Sequence, residues 1–90
     1  MSQFFVQDAA EKQEYQVDWA DTIPEGQVIS TSTWSAYPTL TISGTSIDGF
    51  FTVADIAGGI NGKRYQVTNT IVTSNGETYV DSIFIYMEKK

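Results

Sequence analysis

Two aspartates beside a tryptophan are the residues of this chain whose type and spacing come closest to catalytic or metal-binding chemistry. Asp18 and Asp21 flank Trp19, and paired carboxylates can serve as general acid and base or as Ca²⁺ ligands. A calcium loop places several oxygen ligands at alternate positions around a glycine turn, and this stretch does not. Carboxylate catalysis also needs a cleft, which 90 residues of short strands offer little room to form. We interpret both aspartates as solvated loop residues, the usual setting of isolated charges.

Histidine and cysteine are both absent from the chain. Their absence removes the commonest general base at neutral pH, the Ser-His and Cys-His nucleophile pairs, and the usual zinc ligands. It also excludes disulfides, which fits folding in a reducing cytoplasm. The sequence therefore predicts a protein that is not an enzyme and that carries neither a cofactor nor a metal.

A glycine-rich segment, AGGINGKR at residues 57–64, resembles the end of a phosphate-binding loop. The full motif needs glycine where Ala57 stands and Ser or Thr where Arg64 stands. The segment also leads into a strand, whereas the motif leads into a helix. We interpret it as a turn that precedes a strand.

Four aromatic residues, Tyr15, Trp19, Trp34 and Tyr65, raise the alternative of a sugar-stacking platform in a carbohydrate-binding module. On alternating strands such side chains more often lie in the core, where each buries about 150–250 Å². Tyr65 opens its strand directly after the glycine-rich loop, where sandwich domains often place a tyrosine whose hydroxyl binds the loop backbone. We therefore expect all four to be structural.

The charge and hydropathy of the chain argue against two kinds of partner. The formal net charge is −6, and the five cations are Lys12, Lys63, Arg64, Lys89 and Lys90. Nucleic-acid binding relies on clustered Lys and Arg, which two doublets on an acidic chain do not provide. The first residues lack the basic start of a signal peptide, and no apolar run approaches the roughly 20 residues that span a bilayer. We expect one domain that binds neither nucleic acid nor membrane.

The apolar residues follow the period of short β-strands. In the segment EYQVDW, Tyr15, Val17 and Trp19 fall on one face, as in a half-buried strand. Segments of this kind, separated by turn residues, predict strands near residues 14–19, 28–34, 39–43, 50–56, 64–73 and 77–87. About seven short strands are typical of an immunoglobulin-like fold. We therefore predict an all-β, antiparallel, immunoglobulin-like sandwich at residues 14–90, preceded by an N-terminal arm at residues 1–13.

The last two strands pose a question of register. Ser74-Asn75-Gly76 predicts a tight hairpin turn between them. A two-residue loop would turn Val80, Phe84 and Tyr86 toward the core, and a three-residue loop with a glycine bulge would turn Tyr79, Ile83 and Ile85 inward. We favour the three-residue loop, because Ile83, Ile85 and Met87 then line the core. The predicted core residues are Tyr15, Val17, Trp19, Trp34, Tyr65, Val67, Ile71, Ile83 and Ile85.

Several short motifs, in a fixed order, resemble a family of small tailed-bacteriophage virion proteins. They are Tyr15-x-Val17-Asp18-Trp19, Ser32-Thr33-Trp34, the glycine turn at Gly58-Gly59, and Tyr65-x-Val67-Thr68-Asn69-x-Ile71. The resemblance runs from about Asp8 to Ile85 and departs at Ala9, where the pattern has proline.

The resemblance implies a non-enzymatic structural part in the virion, as an adaptor that joins tail and fiber. The implied partners are other virion proteins, namely tail and fiber subunits, in many copies of a symmetric assembly. The protein would be made in the host cytoplasm and located in the virion. A capsid decoration or cement protein is the nearest alternative.

The final strand is apolar on both faces, so one apolar set must face away from the core in either register. In the favoured register the outward residues include Val80, Phe84 and Tyr86. We predict that these residues dock on a neighbouring virion subunit and that the arm, with Phe4 and Phe5, reaches a second one. The alternative is that the arm folds back and covers this face itself.

Overall fold

The computed structural model describes residues 3–37 and 39–90, and its regular structure there is entirely β. The strands are β1 (Gln3–Gln7), β2 (Lys12–Asp18), β3 (Ile29–Ser35), β4 (Leu40–Asp48), β5 (Phe51–Gly58), β6 (Arg64–Thr73) and β7 (Thr78–Met87). They form a four-stranded sheet in the order β1-β7-β6-β3 and a three-stranded sheet in the order β2-β5-β4. The predicted all-β sandwich is confirmed.

The strand order is consistent with an immunoglobulin-type sandwich. Such a fold places strands A, B, E and D in one sheet and C, F and G in the other. Here β2, β5 and β4 stand in the positions of B, E and D, and β3, β6 and β7 in those of C, F and G.

The first strand departs from the antiparallel arrangement expected from the sequence. β1 lies at the edge of the larger sheet and runs parallel to β7. It ends at the turn of residues 8–11, which crosses to β2 in the opposite sheet. The segment after β7 ends beside it, and the Glu88 backbone N–H donates to the Gln7 carbonyl at 2.9 Å. Both strands therefore finish at the same end of the molecule.

The register of the last hairpin follows the three-residue loop. Val67 pairs with Ile83, and both face the core. In the turn, the Gly76 N–H donates to the Thr73 carbonyl at 2.9 Å, and Gly76 has a φ of 81°. This left-handed conformation suits glycine and is the position where the bulged turn needs it. The prediction of register is confirmed.

The core lies between the two sheets. Eight of the predicted core residues are buried, each at most 8% exposed: Tyr15, Val17, Trp19, Tyr65, Val67, Ile71, Ile83 and Ile85. Trp34 differs, because it packs against the core but remains half-buried. Trp34 lies on β3, an edge strand of its sheet. A neighbouring strand therefore covers Trp34 on one side only, and the other side stays open to solvent.

Gln7, at the end of β1, connects the two sheets. Its side chain is fully buried, and its amide Nε2 donates to the carbonyls of Glu11 and Ile56, both at 2.9 Å. The Tyr15 hydroxyl donates to Gln7 Oε1 at 2.6 Å. Burial, and to a lesser degree the Glu11 carboxylate, raise the pKa of the Tyr15 hydroxyl. The neutral phenol is thus maintained as the donor to Gln7, and these bonds hold the end of β1 against the sandwich.

Candidate functional site

An apolar strip runs across the outer face of the four-stranded sheet. Side chains alternate along each strand, and the pairing places Phe4 beside Phe84 and Val6 beside Tyr86. Phe4 and Val6 are 56% and 47% exposed, while Phe84 and Tyr86 are half-buried. We call Phe4, Val6, Phe84 and Tyr86 the apolar strip.

The surroundings of the apolar strip are mostly polar. On β6, Arg64 lies opposite Tyr86 and Gln66 opposite Phe84. Further along β7, Val80 is 61% exposed and lies opposite Thr70. An apolar centre with a hydrogen-bonding border is the usual anatomy of a protein–protein interface.

The residues predicted for the arm do not all face the same way. Phe4 lies in the apolar strip, but Phe5 points inward, opposite Ile85. Its ring packs edge-on against Tyr15 at a centroid distance of 4.8 Å. The strand period explains the difference, since neighbouring side chains of β1 alternate between the faces. The sequence prediction of the docking residues missed Val6. The same alternation along β1 indicates that Val6 lies on the outer face with Phe4.

β1 does not lie across the outer face of β7. It is hydrogen-bonded beside β7, edge to edge, so Phe4 and Val6 widen the apolar strip instead of covering Phe84 and Tyr86. The strip therefore remains accessible on the described part of the chain.

An open groove of about 650 Å³ adjoins the apolar strip. Its walls are Ser35, Ala36, Tyr37, Arg64, Gln66, Thr68 and Phe84. Tyr37 is 71% exposed. The face thus combines a flat apolar area with a concave, polar border that could receive a side chain of another protein.

The turn that follows β1 is fixed by hydrogen bonds to carboxylates. The Ala10 and Lys90 backbone N–H groups donate to Asp8, both at 2.9 Å, and together they lower the pKa of Asp8, with the Ala10 bond the larger cause. The Asp8 N–H donates to Glu11, and the Lys90 ammonium forms an ion pair with Glu11, again at 2.9 Å. The Asp8 N–H bond is the main cause that lowers the pKa of Glu11. These contacts hold the end of β1 in place beside the apolar strip.

Four residues of the family-like motifs, Trp19, Ser32, Thr33 and Asn69, take part in a polar network between the sheets. Trp19 Nε1 donates to Thr52 Oγ1 at 3.0 Å and to Asn69 Oδ1 at 3.1 Å. Asn69 Nδ2 donates to Ser32 Oγ at 3.0 Å and to the Thr33 carbonyl at 3.1 Å. Trp19 is 2% exposed, and Thr52 and Asn69 are fully buried. These motif residues therefore hold the fold together and do not form a surface site.

Tyr65 has the structural role that its position predicts. Its hydroxyl accepts a hydrogen bond from the Ile60 backbone N–H at 2.9 Å and another from the Thr39 hydroxyl at 3.1 Å. The ring itself is 3% exposed. The predicted tyrosine corner is confirmed, and the glycine-rich segment before β6 is a turn.

The candidate chemical sites of the sequence lie apart from the apolar strip. Asp18 and Asp21 are exposed, and Asp18 accepts the Ala20 N–H at 2.9 Å as a turn contact. Within residues 3–37 and 39–90, no group of three or more His, Cys, Asp or Glu side chains is placed to hold a metal ion. The same residues include no helix long and apolar enough to cross a membrane.

Sequence comparison agrees with the resemblance noted above. A family model described as podophage GP4 fiber-tail adaptor protein gp77 matches residues 7–86. Comparison with curated proteins gives no match. The matched range begins at the last residue of β1 and ends near the end of β7, so it covers nearly the whole sandwich. The chain therefore belongs to the family of podophage GP4 fiber-tail adaptor proteins, gp77.

Proposed function

We propose that this protein is a non-enzymatic structural component of a podophage virion, made in the host cytoplasm, that joins the tail to a fiber. Its partners in this proposal are tail and fiber subunits, which it contacts in many copies of a symmetric assembly. Family membership supports the adaptor role. The apolar strip is the observation that carries the docking function.

The physical case for docking rests on the exposure of the apolar strip. Large apolar side chains that adjoin one another on a sheet face usually mark a partner site. Here Phe4 and Val6 are about half exposed and are continuous with Phe84 and Tyr86. Removing such area from water is favourable by roughly 25 cal/mol per Å². A subunit that stays docked in a particle keeps this area buried.

The construction of the strip also suits a permanent contact. Its four side chains project from two hydrogen-bonded strands, and β7 is in turn paired with β6 along most of its length. A sheet face holds its side chains with little freedom to lose, so docking requires little additional ordering. Arg64 and Gln66 at the border can donate hydrogen bonds that fix the orientation of a partner.

The test is to replace Phe84 and Tyr86 together with Ser and to assemble particles with the variant. We expect the variant to fold, because both side chains face outward, and to be depleted from purified particles together with the fiber. Val28→Ser is the matched control, since Val28 is 55% exposed and lies outside the strip. Normal incorporation of the double variant would place the docking face elsewhere.

A second variant guards against a folding defect. Phe4→Ser changes a side chain at the sheet edge that is 56% exposed, so it should leave the far-UV circular dichroism spectrum unchanged. We expect it to lower incorporation into particles as well. If Phe4→Ser folds and assembles like the wild type, the strip is not the docking face.

A further inference from the structure

The charges of this protein are separated along its long axis. The molecule measures 43 × 22 × 18 Å. One end, which we call the hairpin end, holds residues 18–28, 48–51 and 74–77. The other, which we call the tail end, holds residues 8–12, 58–64 and 88–90. Hydrogen bonds join the segments of each end, for example from the Trp19 N–H to the Phe50 carbonyl at 2.9 Å and from the Ala9 N–H to Asn61 Oδ1 at 3.0 Å.

All five cations of the chain lie at the tail end, and none lies at the hairpin end. The cations are Lys12, Lys63, Arg64, Lys89 and Lys90. The hairpin end carries five carboxylates, Asp18, Asp21, Glu25, Asp48 and Glu77, and all five are exposed. The tail end carries three, Asp8, Glu11 and Glu88, of which Asp8 and Glu11 already contact Lys90.

The hairpin end presents two exposed phenylalanines. Gly49, with a φ of 60°, and Phe50 form the two-residue turn between β4 and β5. Phe50 and Phe51 are 42% and 40% exposed, and we call them the phenylalanine knob. Phe51 lies between Asp18 and Asp48 on the neighbouring strands. The knob is therefore apolar with acidic flanks.

The tail end presents a groove of complementary character. The groove has a volume of about 410 Å³ and is lined by Tyr37, Thr39, Ile60, Lys63, Arg64 and Tyr65. Tyr37 and Ile60 are 71% and 46% exposed, and they supply apolar walls. Lys63 and Arg64 supply positive charge, and neither lies in an ion pair with another described residue.

We propose that copies of this protein associate head to tail, with the phenylalanine knob of one copy in the tail-end groove of the next. Charge complementarity identifies a second copy as the occupant, because the acidic flanks of the knob then meet Lys63 and Arg64. Contact between two hairpin ends would instead oppose like charges. The two surfaces lie at opposite ends of one chain, so the contact is heterologous and continues into a ring or a filament. It uses none of the four side chains of the apolar strip and no fiber or tail subunit, although Tyr37 and Arg64 line both the tail-end groove and the groove beside the strip.

The first measurement is the mass of the purified protein in solution as a function of concentration and salt. By light scattering at about 20 mM NaCl, the mass should rise well above the 10.0 kDa of one chain as concentration increases. At about 500 mM NaCl the charges are screened within a few ångströms, and the mass should fall back toward that of the monomer. A monomer at every concentration and salt would overturn the proposal, as would association that salt does not weaken.

Charge reversal gives the sharper test. Asp18→Lys, Asp21→Lys and Asp48→Lys together leave three cations and two carboxylates at the hairpin end, so both ends are basic. Lys63→Glu with Arg64→Glu leaves three cations and five carboxylates at the tail end, so both ends are acidic. Each of these two variants alone should remain monomeric at low salt. An equimolar mixture should associate again, because the acidic ends of one variant now meet the basic ends of the other. Association of either variant alone, or no association in the mixture, would contradict the head-to-tail contact.

Cross-linking separates a chain of copies from a side-by-side antiparallel dimer, which would also pair opposite charges. The protein has no cysteine, so introduced thiols are unique. Ala20→Cys and Lys89→Cys place one thiol at each end, and neither residue lies in the knob or lines the groove. With a short bismaleimide the double variant should give a ladder at multiples of 10.0 kDa, and each single variant should give no ladder. A product that stops at the dimer would overturn the proposal.

Discussion

Replacing Asn69 with Ala should be among the most destabilising single changes to a polar residue of this protein. Asn69 is fully buried and takes part in four hydrogen bonds that reach both sheets. It accepts from Trp19 and Thr52 and donates to Ser32 and Thr33. The alanine variant removes all four bonds at once and leaves their partners behind.

The expected loss of stability depends on whether each former partner of Asn69 can form another hydrogen bond. Trp19 keeps its bond to Thr52 at 3.0 Å, and Ser32 and Thr33 lie on an edge strand where water can replace the lost donor. The Thr52 hydroxyl is fully buried and loses its acceptor, at a cost of about 1–3 kcal/mol. The other bonds contribute about 0.5–1.5 kcal/mol each at most. We expect a total loss of about 2–4 kcal/mol in the free energy of unfolding.

Urea denaturation followed by tryptophan fluorescence measures this loss, and Trp19 itself reports on the network. In a domain of this size, a loss of about 2–4 kcal/mol should lower the melting temperature by about 8–32 °C. Asn75→Ala is the matched control, because Asn75 is exposed in the β6–β7 turn, and it should change stability by less than about 0.5 kcal/mol.

Two outcomes would refute the reasoning. If Asn69→Ala lies within about 0.5 kcal/mol of the wild type, the buried network does not stabilise the sandwich. If Asn75→Ala costs as much as Asn69→Ala, the loss reflects a general effect of removing asparagine and not the loss of the inter-sheet bonds.

Two further predictions concern the core and the N-terminal turn. Val67→Ala, at a fully buried site, should lower the free energy of unfolding by about 2–3 kcal/mol. Trp34→Ala, at a half-buried site on an edge strand, should lower it by less for each atom removed. Urea titrations that show an equal loss per atom for the two variants would contradict this difference in burial. The pKa values of Asp8 and Glu11 in the folded protein lie below their ordinary values of 3.8 and 4.5. The two carboxylates therefore contribute fully to stability at a pH above the ordinary values. This contribution is lost as the pH falls through the lowered pKa values of the folded protein. Glu11→Gln should therefore reduce the acid sensitivity of the urea midpoint below about pH 4.5. An unchanged pH profile would mean that the contacts of the Glu11 carboxylate with the Asp8 N–H and with Lys90 do not act on stability.

The sequence alone determined most of the secondary structure and the register of the last hairpin. Strand alternation and turn residues are local signals, and in β6 and β7 they were strong. Gly76 permits the left-handed conformation that a bulged turn needs, and only the bulged register turns Ile83 and Ile85 inward. Ser-His and Cys-His nucleophile pairs and the usual zinc sites are likewise excluded by the composition alone, because the chain has no histidine and no cysteine.

The tertiary structure decided how β1 is placed and what the docking face contains. A five-residue strand has no local signal for its partner, since pairing with β7 depends on a contact some 80 positions away in sequence. That pairing turns Phe5 inward and adds Val6 to the apolar strip. Gln7, a polar residue in a short strand, gave no sign from sequence that it would be fully buried between the sheets.

The burial of Trp34 and the separation of charge also depended on the fold. Trp34 is half-buried because β3 lies at a sheet edge, and edge position is a property of strand order, which alternation along one strand does not encode. The cations are scattered through the sequence from Lys12 to Lys90, and they meet at one end because strand direction brings residues 8–12, 58–64 and 88–90 together. Local periodicity determines which face a residue occupies, whereas topology determines which faces and ends become neighbours.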